Sequence, residues 1–73
     1  MITIRQYAKS KKTNLSRFAK FTDISQAYLY EVADNNDANF TANFMRKIYE
    51  VTKEKYGEGL KPSEYSNIMN KII

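Results

Sequence analysis

The chain has no cysteine, no histidine and no tryptophan. Without cysteine no disulfide staples it, and without cysteine or histidine the usual zinc ligands are missing, so no metal is expected. One proline and two glycines are few, which suits helices better than a turn-rich β fold. The longest apolar runs reach only three or four residues, too short to span a membrane. The start, Met1-Ile2-Thr3-Ile4-Arg5, lacks the basic-then-apolar layout of a signal peptide, and the chain reads as cytoplasmic. There is no glycine-rich loop, and the acidic residues fall at caps, corners and solvent faces rather than in convergent pairs. The acid–base inventory is thin, so neither enzyme chemistry nor a cofactor is expected.

What is present is a chain of 73 residues, 42% apolar, with six tyrosines and four phenylalanines. That is one domain, residues 1–73, near the small end of what folds without staples. Apolar burial, alone or with an oligomer partner, must hold it together.

The net charge of +4 hides an asymmetry. Residues 1–22 carry six cations (Arg5, Lys9, Lys11, Lys12, Arg17, Lys20) and no acid. Residues 23–37 carry four acids (Asp23, Glu31, Asp34, Asp37) and no cation. A polyanion such as DNA favours the first block and is repelled by the second.

Five helices are expected. Thr3-Ile4-Arg5-Gln6 fits a capping box, with Ile2 and Tyr7 as a staple around it. Ile4 and Ala8 then face the core, and Lys9 to Asn14 reads as a turn. Asn14 caps a second helix in which Leu15, Phe18 and Ala19 share one face. Thr22-Asp23-Ile24 makes a tight corner, because Asp23 tolerates a left-handed backbone. Ser25 caps a third helix reaching about Asp34, with Leu29 and Val32 inward and Asn35 as a left-handed C-cap. Thr41 caps a fourth, stapled by Phe40 and Met45, with an apolar stripe of Phe44, Met45, Ile48, Val51 and Thr52. Gly57 ends it. The last is expected from Ser63 to about Lys71, with Tyr65, Ile68, Met69 and Ile72 on one side.

Two short helices joined by a three-residue corner, with apolar residues at fixed offsets, have the layout of a helix-turn-helix, here roughly Leu15 to Val32. Small Ala19 lets the second helix cross closely over the first. Ile24, Leu29 and Val32 anchor that helix. Gln26, Ala27, Tyr30 and Glu31 are left pointing outward, where a helix in a major groove presents its reading face.

The run Phe18-Ala19-Lys20-Phe21-Thr22-Asp23-Ile24-Ser25-Gln26-Ala27-Tyr28-Leu29 resembles the Cro/C1-type (XRE-like) helix-turn-helix family of phage repressors, plasmid regulators and bacterial transcription factors. That family's pattern is apolar-Ala-x-x-Thr-Gly-Ile/Val-Ser-Gln-x-x-Leu, with an apolar residue three further on, here Val32. Met45-Arg-Lys-Ile48 stands where the family has core residues of its fourth helix. The resemblance covers most of residues 3–56. It implies an all-α, compact five-helix, lambda repressor-like domain acting as a sequence-specific regulator of transcription. The recognition helix, about 25–34, then lies in the major groove of double-stranded DNA.

The resemblance implies roles position by position. Gln26 is the main base reader, since its amide can pair bidentately with adenine. Ala27 offers a methyl to thymine, and Tyr30 reaches a base edge or a phosphate. Asn14, Ser16, Arg17 and Ser25 hold phosphates, with Lys20 a weaker candidate. A homodimer on a two-fold operator is implied, with Met69, Ile72 and Ile73 of the C-terminal helix as its surface.

The chain departs from the family where Glu31 replaces a basic or neutral residue and Asp34-Asn35-Asn36-Asp37 follows the recognition helix. Outward, Glu31 must meet a cytosine amino group or be repelled. Two readings follow. Either the protein grips DNA through residues 5–20, or the same fold serves as a protein-binding inhibitor or antirepressor. The second would use Tyr28, Tyr30 and Glu31, since tyrosine is favoured in interface centres.

Overall fold

A computed structural model describes the backbone of residues 1–72 and the side chains of residues 1–69. It is all-helical, with five α-helices and no strand among the described residues. They are α1 (Ile4–Ser10), α2 (Leu15–Thr22), α3 (Gln26–Val32), α4 (Ala42–Tyr56) and α5 (Asn67–Ile72), with a short 3₁₀ turn at Pro62–Glu64.

Local chemistry places most helix ends. Thr3 Oγ1 accepts from the Gln6 N–H while Gln6 Oε1 accepts from the Thr3 N–H, closing the capping box. Asn14 Oδ1 accepts from Arg17 N–H at 2.9 Å, and Thr41 Oγ1 from Phe44 N–H at 3.1 Å. Each such cap satisfies a donor with no partner inside its own helix. Asp23 takes the left-handed conformation at φ 57°, and Gly57 does so at φ 83°. Lys12 is left-handed too, at φ 59°, in the turn between α1 and α2.

Eight of the ten aromatics fall into two clusters, edge-to-face throughout except for the stacked pair Phe40 and Phe44. Tyr7, Phe18, Phe21 and Tyr56 join α1, α2 and α4 with centroids 5.0 to 6.4 Å apart. Tyr28, Phe40, Phe44 and Tyr65 join α3, α4 and the segment before α5 at 5.0 to 6.4 Å. Pairs of this kind contribute about 0.5–1.5 kcal/mol each beyond the area they bury. Ile4, Ala8, Leu15, Ala19, Leu29, Val32 and Ile48 complete the core. Ile24 and Met45, expected inside, are half-buried and pack on its edge.

Three expected boundaries are corrected. α3 stops at Val32, short of Asp34, and the free Ala33 carbonyl at its end accepts from Arg5 N–H at 3.1 Å. Asn35 is not left-handed, since among the described residues the only non-glycine ones with positive φ are Lys12 and Asp23. Its N–H closes a simple turn onto Val32 O at 3.2 Å. The last helix starts at Asn67, not Ser63. Tyr65 is drawn into the core edge-on to Phe40 and Phe44, and the Asn67 N–H goes to Asn36 O at 2.9 Å. Side-chain burial there outweighs continuing the helix. Ile73 and the side chain of Ile72, expected at a dimer surface, lie outside the described residues.

Tyr65 is fully buried, and its hydroxyl has no hydrogen-bond partner among the described residues. Burial, reinforced by Tyr28, pushes its phenol far above the ordinary tyrosine value. A buried unpaired hydroxyl costs free energy, so Tyr65→Phe is expected to stabilise the fold by about 1 kcal/mol at neutral pH. In alkali the unfolded chain releases this proton near pH 10 while the folded chain keeps it. Stability is therefore complete below about pH 10 and falls as pH rises above it. Urea midpoints at pH 7 and pH 11 check both effects: Tyr65→Phe should show the higher midpoint and the smaller alkaline loss.

Candidate nucleic-acid interface

α2 and α3 pack on each other across the corner Asp23-Ile24-Ser25. The Asp23 and Ile24 N–H groups return to the end of α2, bonding Lys20 O at 3.3 Å and Ala19 O at 3.0 Å. Lys47 of α4 closes the corner from outside. Its Nζ donates to Asp23 O at 2.9 Å and lies 3.9 Å from the Asp23 carboxylate. Twenty-four residues separate the two, and nothing in the local pattern marks Lys47 among the twelve cations. Below the corner, Thr22 is buried and donates its hydroxyl to Phe18 O at 2.6 Å.

α3 divides sharply. Leu29 and Val32 are buried, and Tyr28 lies edge-on to Phe44 at 5.3 Å. Gln26, Ala27, Tyr30 and Glu31 are all exposed, so the four expected readers share the free side of one helix. Gln26 Nε2 donates to Tyr30 Oη at 3.1 Å. Ser25 Oγ accepts from Tyr28 N–H at 3.4 Å, so the hydroxyl caps α3 with its oxygen and keeps its hydrogen for another acceptor.

The expected phosphate holders other than Ser25 gather on α2. Asn14 uses Oδ1 as the cap, leaving its two amide hydrogens for an anion. Arg17 and Lys20 are exposed one turn apart, and Ser16 is half-buried. The N–H groups of Leu15 and Ser16 have no acceptor within the helix.

The basic block before the corner is less free than its charges suggest. Arg5 Nε donates to Asp34 Oδ1 at 2.8 Å, joining the basic and acidic blocks. Lys11 Nζ lies 5.6 Å from the Tyr7 ring centroid and 5.1 Å from that of Tyr56. Lys9, Lys12, Arg17 and Lys20 are exposed with no carboxylate partner among the described residues. The acidic loop is engaged as well, since Asp37 Oδ1 accepts from Asn67 Nδ2 at 2.7 Å. Sequence reasoning missed both partners of this loop, because pairs 29 and 30 residues apart leave no spacing signal.

No family model matches the chain, and no curated protein or solved structure matches it either. Among the described residues there is no group of acidic side chains placed to hold a metal, and no helix long and apolar enough to cross a membrane.

Proposed function

We propose that this protein is a sequence-specific double-stranded-DNA-binding regulator of transcription, repressor-like, with α3 as a recognition helix in the major groove. The observation that carries this reading is the division of α3. A seven-residue helix is anchored by Leu29 and Val32 behind a left-handed corner, and its other side offers Gln26, Ala27, Tyr30 and Glu31 with no role in the core. An unburied glutamine–tyrosine face on a well-anchored short helix suits base-edge readout. Asn14, Ser16, Arg17, Lys20 and Ser25 supply the phosphate grip, and Lys9 and Lys12 add steering charge. A homodimer on a two-fold site is part of the proposal. Its surface lies near α5, where Ile68 is 41% exposed and Met69 lines a groove with Phe40 and Met45.

Selection of bound duplexes from a random DNA pool tests the reading, and a palindromic consensus is the expected result. Gln26→Ala should weaken binding to that consensus about tenfold or more while leaving mixed-sequence DNA nearly unaffected. Equal losses on both would remove Gln26 from base reading.

One observation favours a second reading, a protein-binding inhibitor or antirepressor on the same fold. The outer face of α3 carries Glu31 and no cation. A salt titration with mixed-sequence duplex separates the two, since a DNA binder with these free cations binds at low salt and lets go as salt rises. No binding at low salt selects the protein partner.

A further inference from the structure

Gln26 and Tyr30 stand one helical turn apart on the free side of α3, and the Gln26 amide donates to the Tyr30 hydroxyl at 3.1 Å. Tyr30 is 45% exposed and belongs to neither aromatic cluster, so core packing does not explain it. The bond restrains a long, flexible side chain, which removes ordering cost from any later contact it makes.

It also changes what the amide can read. A glutamine NH₂ has two hydrogens and its carbonyl oxygen accepts. One hydrogen goes to Tyr30, which leaves one N–H and one C=O. Adenine asks for that pair, because N7 accepts and the N6 amino group donates. Guanine presents two acceptors, O6 and N7, and a free NH₂ can serve both with its two hydrogens. With one hydrogen committed to Tyr30, that option is closed.

We propose that Tyr30 is a positioning residue for Gln26. It holds the amide so that the protein selects adenine over guanine at one position of its site. The proposal rests on the DNA-binding reading above, and the test below separates failure of one from failure of the other.

The experiment uses the full chain and duplexes that differ only by A·T against G·C at the position where Gln26→Ala loses its preference. Tyr30→Phe keeps the ring and removes the acceptor. It is expected to lower the A-over-G preference about fivefold, with melting temperature unchanged. Adding Tyr30→Phe to Gln26→Ala should change the preference no further. An unaltered preference in Tyr30→Phe overturns the proposal, as does a change confined to another base position. A uniform loss on all duplexes also overturns it, by making Tyr30 a phosphate contact. If the unsubstituted protein binds no duplex at low salt, the DNA-binding reading fails and takes this inference with it. Each of the other outcomes defeats this inference alone.

Discussion

Leu29→Ala is expected to destabilise the protein by about 3–4 kcal/mol and to release α3 from the core. Leu29 is fully buried, and with Val32 it is one of the two buried residues of α3. A helix of seven residues has little stability of its own in water, so packing holds it. A domain of this size commonly has about 4–10 kcal/mol in total. The substitution therefore removes a large share, and the outward face of α3 loses its fixed orientation together with the fold. Urea unfolding followed by far-ultraviolet circular dichroism checks the magnitude. Leu29→Met, close in volume, should cost less than about 1.5 kcal/mol. Loss of folding in the alanine variant, kept in the methionine variant, is the expected pattern, and the DNA binding proposed above should follow it.

Asn36→Ala is expected to cost about 2–3 kcal/mol although Asn36 lies in a loop. Its amide nitrogen donates to Ile2 O at 2.9 Å and to Tyr65 O at 2.8 Å. Its backbone carbonyl, which alanine would keep, accepts from Asn67 N–H at 2.9 Å. One side chain thus ties together the residues before α1, the loop after α3 and the segment entering α5. Alanine leaves two carbonyl oxygens without this donor in a half-buried setting. Asn36→Asp should do no better, because it sets carboxylate oxygens against those carbonyls. The expected fall in melting temperature is about 10–20 °C. Asn35→Ala is the control. Asn35 is exposed, and among the described residues its side chain serves only the local Asp37 N–H at 2.9 Å, so its loss should be small. Equal effects at both positions would remove Asn36 from its tethering role.

Much of this arrangement is legible along the chain, where the deciding interactions are short. The Thr3–Gln6 box, the Asn14, Ser25 and Thr41 caps, the left-handed Asp23 and the Gly57 terminator each depend on atoms within four residues. The inward and outward sides of α3 follow from helical period alone. Sequence reasoning went wrong at the end of α3 and the start of α5. At both, the chain leaves its helix for a distant partner. Ala33 O meets Arg5 N–H, Asn67 N–H meets Asn36 O, and the Tyr65 ring packs edge-on against Phe40 and Phe44. No local preference encodes those meetings.

Charge shows the same division. The basic residues 1–22 and acidic residues 23–37 are plain in the sequence, as is the outward set of Gln26, Ala27, Tyr30 and Glu31. Only the tertiary structure decides that Arg5 is joined to Asp34, Lys47 to the Asp23 corner and Asp37 to Asn67. Among twelve cations and eight acids many pairings are conceivable, and the packing of the helices selects among them. The sequence by itself determined the five helices, four of their caps, the corner and the free side of α3, because those rest on backbone geometry and period over a few residues. Which charges remain free for a partner, and which loop residue ties the ends together, was decided only when distant segments came within hydrogen-bond reach.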